Sequence, residues 1–180
     1  MNARKAKLLR FLVLVLVISV FTGCKGEDGR LREALAPYAK IVEQDSLDGL
    51  RLKIYYISPS IFTRAPLTVE GLIRWSEEEI IVDSERLQEY AALLKQLSAD
   101  ALTPVQEPSY LNARLCYLFE TEDGTILEIA VGGVNNSVFV NGIEVEYNEL
   151  FYEIIAPFLT DAAREEIEIY FHGWFFSSPE

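Results

Sequence analysis

Apolar positions along this chain change period several times, and the changes mark out its elements. Leu31, Leu35, Tyr38 and Val42 recur at helical spacing. Pro37 falls within that stripe, so this helix is expected to kink or to begin afresh there. After a turn-rich break at residues 45–49 the period shortens to two. Leu50, Leu52, Ile54 and Tyr56 alternate with Arg51, Lys53 and Tyr55, the pattern of a strand with one buried face. Residues 61–77 fit helix and strand about equally. Thr68 followed by Glu70 suits a helix N-terminus and favours a short helix over residues 69–73. Glu79-Ile80-Ile81-Val82 reads as a short β-branched strand. Asp83 or Ser84 then caps one helix with the stripe Leu87, Tyr90, Ala91, Leu94 and Leu97.

Beyond a loop bracketed by Pro104 and Pro108, strands follow in quick succession. Ala113–Glu120 leads through Glu122-Asp123-Gly124 into Ile126–Val131, and Gly132-Gly133 with Asn135-Asn136 forms the next turn. Val138-Phe139-Val140 and Ile143-Glu144-Val145 flank Asn141-Gly142, a two-residue hairpin signal. That turn pairs Val140 with Ile143 and Val138 with Val145, puts all four on one face and turns Glu144 to the other. Asn148 caps a helix carrying Leu150, Phe151, Ile154, Ile155 and Phe158, which Pro157 limits, and a last helix starts at Thr160 or Asp161. The sum is an α+β fold: an antiparallel sheet of about five strands with helices packed mainly on one face. No repeat or composition shift marks a second domain, so residues 30–180 form a single α+β globular domain.

The N-terminus follows a different logic. Arg4, Lys5, Lys7 and Arg10 precede an uncharged stretch from Phe11 to Thr22, with no acid before Glu27. Twelve helical residues reach about 18 Å, short of a hydrocarbon core of roughly 30 Å, so a secretory leader fits better than a membrane span, the alternatives being a signal cut elsewhere or an uncleaved N-terminal anchor. Phe21-Thr22-Gly23-Cys24 resembles the lipobox of bacterial lipoprotein precursors, with Phe21 where that family usually has Leu. The resemblance implies cleavage before Cys24, a diacylglycerol on its sulfur, a leader at 1–23 and a short tether at 24–29. Two acyl chains anchor stably where one does not. The order of elements over residues 50–159 is also similar to small domains in uncharacterised lipoproteins of Gram-positive bacteria. That likeness rests on pattern and transfers no site.

Without residues 1–23 the chain has 157 residues, with 12 Lys and Arg against 28 Asp and Glu, a formal charge of −16. After residue 99, fifteen acids face only Arg114 and Arg164. Such a field argues against nucleic acid and against lying flat on anionic lipid, and favours a basic protein or a cation as partner. Cys116, the only thiol besides Cys24, lies in Leu115-Cys116-Tyr117-Leu118-Phe119 and reads as a small buried hydrophobe.

Signatures of chemistry are sparse. One histidine, His172, cannot build a His-based zinc site, and neither a phosphate loop nor a Gly-x-Ser-x-Gly elbow occurs. No catalytic residue, metal site or cofactor is assigned. The runs Glu77-Glu78-Glu79 and Glu165, Glu166, Glu168 read as solvated faces, and Glu120, Glu122 and Asp123 as a hairpin turn rather than a calcium site. The C-terminal run is the unusual feature. Ile167, Tyr170, Phe171 and Trp174 fall at helical spacing, followed by Phe175 and Phe176. They either pack on the domain's own core or form an aromatic patch that grips a partner or dips into the bilayer. The reading that joins these observations is a non-enzymatic interaction or binding module of the cell envelope. It is lipid-anchored to the cell membrane, faces outside the cytoplasm and binds an envelope protein or peptide. The alternatives are a cell-wall hydrolase using paired carboxylates and an accessory subunit of a membrane transporter.

Overall fold

The structure, a computed structural model, describes residues 26–76, 78–133 and 137–172. The leader at 1–23, Cys24, Asn135-Asn136 and Trp174, Phe175 and Phe176 lie outside the described residues. The chain runs α1 (Glu27–Val42), β1 (Arg51–Tyr56), α2 (Val69–Trp75), β2 (Glu78–Val82), α3 (Ser84–Gln88), α4 (Ala91–Leu94), β3 (Ala113–Thr121), β4 (Gly124–Gly132), β5 (Val138–Val140), β6 (Ile143–Val145), α5 (Leu150–Glu153) and α6 (Asp161–His172). All six strands join one antiparallel sheet in the order β2-β1-β3-β4-β5-β6. The fold is α+β. Both three-residue arms of the Asn141-Gly142 hairpin belong to the sheet, so it has six strands where the sequence suggested about five.

One face of the sheet carries the main core. Leu52 and Ile54 of β1, Tyr117 and Phe119 of β3, Ile129 and Val131 of β4 and the four hairpin side chains are buried there beneath helices. α1 supplies Leu31, Leu35, Tyr38 and Val42, α3 and α4 supply Leu87 and Leu94, and α5 and α6 supply Phe151, Ile167 and Phe171. α1 neither stops nor restarts at Pro37, which sits inside it. An interior proline costs about 3 kcal/mol. Burial of four large side chains on both sides of it, each contributing roughly 1.5–3 kcal/mol, exceeds that cost. The helix also starts at Glu27, inside the stretch expected to be tether.

The expected single helix after Asp83 is instead two turns, α3 and α4, separated at Glu89-Tyr90. Asp83 caps the first, accepting from Arg86 N at 3.0 Å. Tyr90 leaves the helical path and sets its ring edge-on to Phe158, centroids 5.2 Å apart. Residues 69–75 do form a helix, α2, with Thr68 Oγ1 accepting from Gly71 N at 3.1 Å. Among the described helices it alone lies on the opposite face of the sheet. There Val69 and Leu72 cover Tyr55, Ile57, Cys116, Leu118, Ala130 and Phe139. The alternation in β1 therefore leaves only Arg51 and Lys53 wet, because Tyr55 is buried by α2. Among the described residues no helix is long and apolar enough to cross a membrane.

The hairpin follows its local chemistry. Asn141 has φ 47° and Gly142 φ 77°, as a type I′ turn requires, and Val140 pairs with Ile143 and Val138 with Val145. A Cβ at Gly142 would meet nothing within 4 Å, so any cost of a side chain there is conformational. Gly142→Val is expected to lower stability by about 1–2 kcal/mol and Gly142→Asn by clearly less, since Asn tolerates this region and a β-branched residue does not. Urea unfolding of the two variants checks this, and equal loss would contradict it.

The C-terminal stripe is core as far as it is described. Ile167, Tyr170 and Phe171 are 0%, 6% and 1% exposed. Phe171 meets the Tyr152 ring of α5 at 5.3 Å between centroids, and Tyr170 donates to the carbonyl of Ile57, so these three side chains are part of the main core. Deleting everything after Glu166 removes three buried side chains worth roughly 1.5–3 kcal/mol each, comparable to the whole stability of an ordinary domain. The truncated chain is expected to lose its cooperative thermal transition. A retained transition within a few degrees of the parent would show that α6 is not part of the cooperative core.

Candidate functional site

Two surface features stand out, and β2 belongs to both. The first is a cleft where the end of β1, the start of β2 and α6 meet, lined by Tyr56, Ile57, Ser58, Ile61, Glu78, Ala162 and Glu166. Tyr56 donates its hydroxyl to Glu78 Oε2 at 3.0 Å. Burial, the bond to Glu78 and the nearby Glu166 push that phenol up to about 12, so it stays a donor at any physiological pH. Tyr170 closes the floor by donating to the carbonyl of Ile57. The cleft encloses about 160 Å³, where small-molecule sites run to roughly 300–1,000 Å³. Its two carboxylates both reach solvent, Glu78 being exposed and Glu166 half-buried.

The second feature is the outer edge of β2. Ile57 N donates to Arg114 O at 3.1 Å, and the same register carries Tyr55 opposite Cys116 and Lys53 opposite Leu118. In an antiparallel sheet, backbone bonding alternates sides from residue to residue. Odd-numbered positions of β1 thus bond β3, and even-numbered ones bond β2. Ile54 faces Ile80 and Leu52 faces Val82, so Ile80 and Val82 turn their backbone groups inward. Glu79 and Ile81 point their N–H and C=O away from the sheet. No other described segment donates to or accepts from these backbone groups.

At the far side of the sheet the opposite holds. Val105 N donates to Glu144 O at 2.9 Å, Glu146 N donates to Thr103 O at 2.8 Å, and Pro104 bridges Val145. The β6 edge is sealed by its own chain, and the β2 edge is left open by the described residues. Beside the open edge runs a groove lined by Ile80, Ile81, Val82, Asp83, Arg86, Pro157 and Phe158. Ile81, 56% exposed, stands on the α2 side of the sheet, and Ile80 leans into the main core.

The remaining candidates fall apart spatially or find ordinary partners. Glu120 pairs with Lys53 at 3.1 Å, and no cluster of three metal-ligating side chains occurs among the described residues. Glu168 accepts from Tyr152, and Glu165 is exposed. His172 ends α6, and its side chain lies outside the described residues. Glu144, read as pointing away from the hairpin core, is buried and takes both the N–H and the hydroxyl of Ser109. Sequence reasoning missed the open edge altogether, because strand order cannot be read from strand patterns. Comparison with known protein families, with curated proteins and with solved structures finds no match to this chain.

Cys116 lies under α2 with no exposed surface. Burial, with a smaller contribution from Glu128, pushes its thiol up to about 12. The thiolate is the reacting species. Labelling of the folded domain at pH 8 is therefore expected to be orders of magnitude slower than in denaturant and to speed up only as the domain unfolds. Fast labelling without unfolding would place Cys116 at a reactive site.

Proposed function

We propose that this chain is a lipoprotein, anchored through Cys24 on the outer face of a bacterial cytoplasmic membrane, whose domain is a non-enzymatic binding module for an envelope protein or peptide. The anchor rests on the leader and on the resemblance of Phe21-Thr22-Gly23-Cys24 to a lipobox. α1 begins at Glu27, leaving only Lys25 and Gly26 between the lipidated residue and the helix, so the domain is held close to the bilayer. Its acidic field keeps it from lying against anionic headgroups, which leaves its surface available.

One observation carries the binding reading: a sheet that seals one edge with its own chain leaves the other open beside a groove. Unpaired edges are pairing templates, and domains usually cover or blunt them. The hydrolase reading has Glu78 and Glu166 at the same cleft. Its small volume and solvated carboxylates favour contact with a surface over enclosure of a substrate.

The test uses intact cells expressing the full chain with a photo-cross-linking residue in place of Ile81, with and without Cys24→Ala. A palmitate analogue should label the parent and not the Cys24→Ala chain, which should accumulate uncut. The cross-linker should give a discrete protein adduct that depends on anchorage. Unchanged palmitate labelling in Cys24→Ala would defeat the anchor. A lack of adducts at Ile81 and at the exposed Phe62 and Tyr110 would defeat the binding module.

A further inference from the structure

We propose that the outer edge of β2 is a strand-addition site for an extended, basic peptide segment of a partner protein. The proposal rests on the binding-module reading and specifies its site and ligand. The edge offers four backbone groups, the N–H and C=O of Glu79 and Ile81, that no other described segment pairs. An incoming strand of about five residues matches the length of β2 and extends the sheet by one strand. Its side chains would alternate between two settings. One set would lie in the groove beside Ile80, Pro157 and Phe158, and the other would lie beside Ile81 on the opposite face.

Charge selects the occupant. Glu78, Glu79, Asp83 and Glu85 lie on or next to β2, and all are exposed. The nearby cations are already engaged. Lys53 pairs with Glu120 at 3.1 Å and reaches Glu79 at 3.8 Å, and Arg86 pairs with Glu89. Glu79 is thus held by Lys53 and by the hydroxyl of Tyr55, but among the described residues no cation pairs with Glu78, Asp83 or Glu85, so an incoming strand meets uncompensated carboxylates flanking an apolar centre. A basic strand with apolar alternate positions complements both features. A second copy of this chain does not: pairing β2 with β2 would bring together two acidic edges on chains of formal charge −12 each.

The test uses the soluble domain from residue 26 onward and a capped peptide of about nine alternating Lys and Val residues as probe. In the free domain the amides of Glu79 and Ile81 should exchange with solvent fast, while those of Ile80 and Val82, bonded to β1, are protected. Saturating peptide should slow exchange at Glu79 and Ile81 at least tenfold. Binding should weaken as salt rises. The matching Glu-Val peptide should bind at least tenfold more weakly, and so should the Lys-Val peptide N-methylated on its amides, which keeps charge and side chains but has no N–H to give. Ile81→Pro removes an outward N–H and no ladder bond, so it should keep the far-UV spectrum and lose the peptide. Should that variant not fold, Ile81→Lys keeps the backbone and should weaken the basic peptide at least tenfold. Equal binding of acidic and basic peptides, or no change in exchange at Glu79 and Ile81, overturns the proposal. Saturable binding that maps to the Tyr56–Glu166 cleft overturns this assignment and leaves the binding module standing. If no peptide binds and Ile81, Phe62 and Tyr110 give no adducts, both fall.

Discussion

The structure depends on sealing one apolar sheet face with helices, three of them too short to stand alone. α3, α4 and α5 have five, four and four residues. Isolated helices below about 12–15 residues are marginal in water, so these turns exist because Leu87, Leu94 and Phe151 are buried by them. Burial alone is non-directional. Direction comes from three tyrosines whose rings are core and whose hydroxyls peg neighbouring elements. Tyr38 of α1 donates to Leu94 O at 3.0 Å, Tyr117 of β3 to Phe151 O at 3.0 Å, and Tyr170 of α6 to Ile57 O. Two of these carbonyls belong to one-turn helices, whose last carbonyls have no partner within the helix. Each bond contributes a net 0.5–1.5 kcal/mol or so; Leu94 O also accepts from Leu97 N at 3.2 Å, but loss of the Tyr117 or Tyr170 hydroxyl would strand a buried carbonyl at a cost of about 1–3 kcal/mol. Burial raises all three phenols above their ordinary value, so they remain donors across physiological pH.

Legibility in the sequence tracked how local the deciding force was. Asn141-Gly142 fixes its own φ values and, through them, the pairing of six neighbours, and pattern and structure agree there. The caps at Thr68 and Asp83 are equally local. Disagreements arise where distant packing overrides a local rule. Pro37 argues for a break, but the stripe on both sides of it is held to the sheet. The spacing of Leu87, Leu94 and Leu97 argues for one helix, but Tyr90 is drawn to Phe158 and the helix divides. Tyr55 sits on what alternation marks as the wet face, with Ile57 and Cys116 beside it. α2, the least decided element in the pattern, is what covers them.

The open edge illustrates the limit from the other side. β2 reads as a strand from Ile80-Ile81-Val82 alone, but its being an edge depends on β1 turning to β3, more than fifty residues on. The sealing of β6 depends likewise on Pro104 arriving from the preceding loop. Pro104, which has no N–H to donate, sits at the centre of that bridge, and its neighbours Thr103 and Val105 make the two bonds. The bridge satisfies the β6 edge and ends further pairing. Among the described residues nothing equivalent covers β2, because Asp83 caps α3 at once and the chain leaves the edge.

Net charge then acquires a structural meaning beyond solubility. An open, β-branched edge invites self-pairing, and anchoring on a membrane, as proposed, would raise the local concentration of copies sharing one plane. Two devices oppose this pairing. Glu78 and Glu79 occupy the edge strand itself, and the domain as a whole is strongly acidic. Both discriminate by sign and leave the backbone groups of Glu79 and Ile81 exposed. Proline or a covering loop would close the edge to every strand. Carboxylates close it to copies of the same chain and keep it open to a basic one. The choice of charge over coverage at β2, beside coverage at β6, is the physical ground for treating the two edges as different in kind.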